Sequence, residues 1–468
     1  MKNLISDTTN VLNVGLPRFR DALSSQGVPV SNCTWQPPAG GEADRAWKLA
    51  KTLSNPAIDA ANKIAFSRYM EANPVLVGVG TAGKDIPGMD GKRILHSGPP
   101  IAWENMCGPQ QGAVMGAILF EGWATTPEAA AKMVESGDVT LAPCHHHQAV
   151  GPMAGVISPS MPVWIVRNEA HGNYTYCNFN EGLGKVLRFG AFSKEVLDRL
   201  HWMADVLAPV VSQAVKHMEP LEIKPLMAQA LHMGDEVHNR NAAATSMFFR
   251  KLAPAALKSD MDPAKIAEAL TFIAGNDHFF LNLSMASCKS MMDAAAGVEN
   301  SSMVICMARN GVEFGVRISA FPDTWFTADA PMVDGLFFPG YGKEDAAADL
   351  GDSAITETAG VGGFAMAAAP AIVQFVGGTV ADAVKNSRTM QRITVGRNGA
   401  FTLPLLDFGG SAAGIDCRKV VDTGIQPIIN TGIAHKEAGI GQIGAGLTAA
   451  PMDCFTQAID MLDARLSK

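Results

Sequence analysis

The sequence predicts a multi-domain α/β protein, with α/β parts at its N-terminal and C-terminal ends and a mostly helical middle region. Short apolar runs punctuated by Gly and Pro alternate with helical stretches as far as residue 192. A Met- and Ala-rich region from Lys194 to Val298 lacks such runs, and strand character returns at Met303. The 468 residues leave room for more than one domain and a large core. The expected division is a small βα module over 1–45, an α/β domain over 46–192, a helical domain over 193–300, and an α/β domain with glycine-rich turns over 301–468.

Taken in order, Asn13–Leu16, Arg18–Gln26 and Gly27–Val30 read as strand, helix, turn and strand, followed by a Pro/Gly linker at 37–41. Helices are expected at Ala43–Leu53 and Ile58–Ala72, then a strand at Val75–Val79. Ile94 begins a short strand whose following loop should expose His96 and Ser97. Thr126-Pro127 is a helix start, with Thr as N-cap and Pro in the first turn, and Gly137 closes that helix. Strands follow at Val139–Pro143, Met153–Ser158, Val163–Arg167 and Tyr174–Phe179. Helices are expected at Lys194–Lys216, Leu226–Leu257, Asp262–Ala274 and Asp277–Val298, with strands at Met303–Arg309 and Val312–Ser319. A last helix begins near Pro451.

Composition narrows the function. Charged residues make up 18% of the chain, so much surface should be buried, in part between subunits, and an oligomer is expected. A net charge of −8 argues against nucleic-acid and anionic-membrane partners. The eight cysteines form no C-x-x-C pair, which suits reduced thiols in the cytoplasm, and Met1–Asp7 lacks the apolar core of a signal peptide. Thr358–Ala381 carries no charge, but its glycines and Pro370 fit a buried turn with a short helix better than a membrane span.

The stretch with the richest chemistry is Asn430–Gly446. An apolar run, Ile425–Ile429, leads to Asn430 and Thr431, then to His435, Lys436 and Glu437, then to Gly439, Gly441, Gly444 and Gly446. Such a passage is expected to gather backbone N–H groups around a small anion, with a cation and a carboxylate beside them. Gly439–Gly444 also satisfies G-x-G-x-x-G. The acid near the required spacing, Asp463, lies in the terminal helix, and the chain stops before a further strand, so a dinucleotide fold is not expected.

Other clusters compete with structural readings. Cys144 is followed by His145, His146 and His147, a metal-like run whose spacing fits a helical zinc motif poorly; a histidine bonding substrate is the preferred reading. If helical, 232–241 places Asp235 and His238 on one face and makes Glu236 and Arg240 an i,i+4 pair; the alternative is a solvated face. Thr356 and Glu357 precede the glycine turn at 360–363, where tight helix packing is the commoner explanation. Glu181 and Lys185 read as a surface ion pair.

The motifs Cys144-His-His, Gly151-Pro-Met-Ala-Gly155, Asn178–Lys185, Gly234-Asp-Glu-Val-His238, Asp352–Thr358 and Asn430–Gly446 resemble the YlbE-like family, which includes AllG, a subunit of oxamate carbamoyltransferase. Residues 11–41 resemble a βα module of FdrA-like subunits, although the strand end here is the uncharged Thr34-Trp35-Gln36. The resemblance implies transfer of a carbamoyl group from oxalurate to phosphate in ureide breakdown, with an FdrA-like (AllF-like) subunit and an AllH-like subunit as partners. It assigns no catalytic residues; the chemistry of the motifs does. Lys436 and the backbone at Gly439, Gly441 and Gly444 suit phosphate, and Arg240 suits the carboxylate. His145, His146 or His435 is the candidate acid, oriented by Glu437 or Asp235. His238, Asn430, Thr431, Thr356 and Glu357 complete the substrate-binding set. No tightly bound cofactor or transition metal is expected, Mg2+ being left open. The competing functions are a metal-assisted amidohydrolase using His145–His147 with Asp235 and His238, and a non-catalytic scaffold.

Overall fold

The computed structural model describes residues 11–33 and 37–467. Helices and strands mix throughout, in an α/β arrangement of several small sheets. The N-terminal module pairs Val11–Val14 with Val30–Cys33 in parallel, bridged by the helix Pro17–Ser25. Thr34, Trp35 and Gln36, the expected end of that strand, lie outside the described residues, as does the Met1–Asp7 segment. No described helix is long and apolar enough to cross a membrane.

A mixed sheet of five strands runs Ala149–Val150, Tyr174–Asn178, Pro162–Asn168, Pro74–Thr81, Leu221–Glu222. The helix Leu281–Ala294 packs against Tyr174–Asn178 and Pro162–Asn168 and is buried from Leu281 to Met292, which explains its Met-, Ser- and Ala-rich composition. Around it lie Ala208–His217, Ile223–His232, Ala242–Ala256 and Pro263–Ala274. Trp164 anchors this core, stacked on Phe179 at 4.2 Å and edge-on to Phe248 and Phe279. A four-stranded antiparallel sheet, Phe321–Asp329, Glu313–Ile318, Val304–Asn310, Leu350–Gly351, shares a second core with the terminal helix Met452–Leu466. Between the cores, the unbroken buried run from Asp349 to Ala369 passes through short helical turns. A buried segment must satisfy its polar backbone internally, and those turns do so.

Several sequence expectations need correction. Met153–Ser158 is a loop with a single bridge, Leu95 to Ile157, rather than a strand. His96 and Ser97 are buried, because the turn at Gly98 is pressed against the backbone of Arg309 and Asn310. Leu226–Leu257 is not one helix: it breaks at 233–241 between Ile223–His232 and Ala242–Ala256. Gly234 takes φ +96°, and the Asp235 carboxylate leaves the first helix to accept the Ala244 N–H of the second. The i,i+4 pair of Glu236 and Arg240 therefore does not form. Glu181 is not a surface partner of Lys185 either; it is buried and accepts the N–H groups of Leu187 and Arg188. The helix expected from Asp277 starts only at Leu281.

Candidate functional site

The break at 233–241 is what builds the site. The Glu236 carboxylate accepts both the His238 N–H, at 2.7 Å, and the Arg240 N–H, pulling the loop into a tight coil. Val237 is forced to φ +55°, a costly conformation for a β-branched residue and one that tends to occur where function over-determines geometry. The Glu236 carbonyl then accepts the Gly362 N–H from the buried turn. Gly362 allows this approach: a Cβ there would strike Glu357 and His238. As a result His238 Nδ1 meets Glu357 Oε1 at 2.8 Å in a fully buried contact.

Glu357 is in turn fixed by Thr356 Oγ1 at 2.9 Å, by the Gly363 N–H at 2.8 Å and by the Asn430 N–H at 3.4 Å. A carboxylate on Nδ1 sets the imidazole tautomer and leaves Nε2 to act on a ligand. The His238 side chain lines a cavity of about 390 Å³, within the range of small-molecule sites. Its walls are mainly apolar (Met153, Leu281, Phe337), with His238, Asn239, His278, Arg188, Ser353, Gln374 and Gln442 as the polar groups that can fix a ligand.

Arg188 is the only Lys, Arg, Asp or Glu among the described lining residues. Its Nε and Nη2 donate to the Gly182 carbonyl at 3.2 and 2.7 Å, and the guanidinium lies over Phe189 at 4.8 Å. Nη1 has no partner among the described residues and is free for a ligand. Burial lowers the Arg188 pKa to about 10, which leaves it charged at neutral pH. His278 is pushed down to about 3 by burial and by the charge of Arg188, so it is a neutral imidazole, and its Nδ1 has no partner among the described residues. Among the described residues Asn239 Nδ2 is likewise buried without a partner, as are both amide atoms of Asn430, which lies outside the cavity lining. Leaving such groups unpaired costs about 1–3 kcal/mol each, so the site is strained toward hydrogen bonds it does not make within the chain.

The structure gathers His238, Glu357, Thr356 and Asn430 and separates the other sequence candidates. Asn430–Gly446 is an antiparallel hairpin, Ile428–Ala434 with Gln442–Ala449, not a nest of N–H groups. The N–H groups of His435, Lys436, Glu437, Gly439 and Gln442 already donate to Gly441, Asp345, His435, Gly190 and Gly184. Lys436 is exposed, with Nζ on the Glu344 carbonyl at 2.6 Å, and Glu437 is exposed beside it. Gly439 and Gly441 answer turn geometry (φ +88° and +116°), while Gly444 lets the Leu336 carbonyl approach. What the hairpin does give the cavity is Gly432, Gln442 and Ala445.

Arg240 donates Nε to the Gly234 carbonyl and does not line the cavity. Asp235 caps a helix, with burial raising its pKa to about 6. His435 Nδ1 accepts the Glu437 N–H. Thr431 Oγ1 joins the buried pair of Arg309 and Asp349. His145 does not line the cavity and lies 3.4 Å from Cys306 Sγ and 3.6 Å from Asp352, while His146 accepts the Trp325 indole N–H at 2.9 Å. Among the described residues no group of three or more His, Cys, Asp or Glu is placed to hold a metal. Arg188, His278 and Asn239 were missed. Arg188 lies three residues beyond the Asn178–Lys185 motif, and a cation there was the one available signal.

The comparisons agree with this architecture. The chain belongs to the family of the oxamate carbamoyltransferase subunit AllG: residues 139–353 match the family described under that name. It is 49% identical to oxamate carbamoyltransferase subunit AllG of Escherichia coli K12, over 86% of this chain and 97% of that protein. It is also 48% identical to the uncharacterized protein YahG of the same organism, over 98% of both chains. A crystal structure of a conserved protein of unknown function from Enterococcus faecalis V583 superposes with a TM-score of 0.86 at 49% identity, over 87% of this chain and 98% of that one.

Proposed function

We propose that the chain is a subunit of a carbamoyltransferase whose pocket takes a small carboxylate, the ureido acid oxalurate in the forward direction and oxamate as product. The observation that carries this reading is the single guanidinium of Arg188, with a free edge, in a pocket otherwise lined by apolar and uncharged polar groups. One fixed cation selects a monoanion, and a carboxylate of ureido size matches it. The unpaired His278 and Asn239 groups suit the alternating C=O and N–H of a ureido chain.

A phosphate oxygen attacks the terminal ureido carbonyl and forms the new C–O bond. The C–N bond to the oxamyl nitrogen breaks, and its electron pair leaves with that nitrogen. His238 takes the proton of the attacking hydrogen phosphate and passes it to that nitrogen, so protons balance over the cycle. Glu357 stabilises the imidazolium and holds its orientation. The relative AllG is named as a subunit, and for this chain too we assign partners, an FdrA-like and an AllH-like subunit, in the cytoplasm.

Arg188→Ala weakens oxamate binding to the purified chain roughly ten- to a hundredfold by calorimetry, the loss of a charge-assisted contact worth about 1.5–3 kcal/mol. Lys436→Ala, outside the cavity, leaves that affinity unchanged. Equal effects from both substitutions, or none from either, sink the pocket assignment. No tightly bound transition metal takes part in this reading. Elemental analysis of protein purified without added metal should find none at stoichiometric level. Zinc at one per chain, with activity lost on chelation and restored by zinc, shifts the reading to a metal-assisted amidohydrolase.

A further inference from the structure

The rim of the pocket is apolar where a solvent-facing surface is ordinarily polar. Leu183, Leu336 and Phe338 line the cavity yet keep 48%, 49% and 43% of their surface exposed. Tyr341 extends the patch: its N–H donates to the Phe338 carbonyl, and its ring stands edge-on to His435 at 5.8 Å. These side chains sit on segments tied to one another. The Gly184 N–H donates to Gln442 Oε1, the Gln442 N–H to the Gly184 carbonyl, and the Phe338 N–H to the Ile443 carbonyl at 2.7 Å. A fixed, exposed apolar rim around a ligand pocket is the anatomy of a contact surface rather than of a free one.

Beneath that rim Arg188 has no second Lys or Arg beside it among the described lining residues. On the carbamoyl-transfer reading, on which this inference rests, a carboxylate and a phosphate dianion must approach within bonding distance of one carbonyl. Arg188 alone cannot neutralise both. Arg240 is held by Gly234 and Lys436 by Glu344. The adjoining cleft, which shares Leu183 and His278 with the pocket, brings Glu181 and Asp277 and no Lys or Arg among its described lining residues. We propose that a second polypeptide of different sequence docks on Leu183, Leu336, Phe338 and Tyr341, closes the pocket, and contributes the Lys or Arg that holds phosphate. A second copy of this chain fits less well, since its net charge of −8 adds acid at a mouth that must admit two anions.

The FdrA-like chain is the probe. Isolated wild-type protein should bind oxamate by calorimetry but no measurable radiolabelled phosphate, and phosphate binding should appear on adding the FdrA-like chain. Leu336→Asp with Phe338→Asp should abolish that association. Tyr341→Asp, outside the pocket lining, should weaken association at least tenfold while oxamate affinity is kept, which shows that the variant is folded. The proposal is overturned if both variants associate like wild type, or if the FdrA-like chain does not bind at all. It is equally overturned if isolated wild type binds phosphate and loses it on Lys185→Ala, which puts the cation in this chain. A dimer of this chain that Tyr341→Asp dissolves in sedimentation makes the occupant a second copy and overturns it too. Oxamate that binds neither the isolated chain nor the assembly overturns the pocket reading itself, whatever the docking data show.

Discussion

Replacing His238 by asparagine lowers turnover of the assembled enzyme about 10²- to 10⁴-fold at saturating substrate, with little change in the Michaelis constant for the ureido acid. The asparagine amide retains a donor toward Glu357 but cannot carry the proton that the departing nitrogen needs. The effect therefore falls in the transition state rather than on ground-state binding. The Glu236 contacts that shape the loop go to the backbone N–H groups of residues 238 and 240, so they survive the substitution. Steady-state kinetics with oxalurate and phosphate varied separately measures the effect. Unchanged turnover in a folded His238→Asn variant moves the proton carrier elsewhere, with His278 the first candidate on the same wall.

Asp349→Ala should cost about 3–5 kcal/mol of stability, the largest effect expected from a residue that does not line the pocket. Arg309 and Asp349 form a fully buried two-point pair, at 2.7 and 2.9 Å, and Arg309 also reaches the Gly351 carbonyl and Thr431 Oγ1. Removing the carboxylate leaves a guanidinium in the interior without its counter-charge. Replacing both partners, Arg309→Met with Asp349→Leu, should recover much of the loss, because no charge is then stranded. Denaturant midpoints of the three variants decide the matter; an Asp349→Ala midpoint equal to wild type shows that the pair carries little net energy.

Much of the fold was legible in residue order. Ala43–Leu53 is a helix over the bounds its pattern predicted, Thr126 caps Pro127–Glu135 with its side chain on the Ala129 N–H, and the charge-free Thr358–Ala381 is largely buried turn. These features rest on local rules: periodicity, capping chemistry, and Gly or Pro at bends. Less of the site was legible. His238 and Glu357 were both singled out, but His238 was placed on a helix face with Asp235, and the two were not paired with each other. A helical reading of 232–241 paired Glu236 with the Arg240 side chain, whereas the carboxylate takes that residue's backbone N–H.

The sequence by itself determined the class of fold, most element positions and the family, since each depends on contacts among near neighbours or on motif order along the chain. Only the tertiary structure decided which polar groups work together. His238 meets Glu357 across 119 positions of sequence, and Arg188, a residue of a short buried turn, is aimed by the Gly182 carbonyl into a cavity whose other walls come from distant segments. The Lys436 hairpin shows the converse. Its glycines and charges look like an anion site in one dimension, yet in three dimensions the N–H groups of His435, Lys436, Glu437, Gly439 and Gln442 are taken by neighbouring carbonyls and a ring nitrogen. Hydrogen-bonding capacity is a property of a residue, but whether it remains free for a ligand is set by what else the fold brings within about 3 Å.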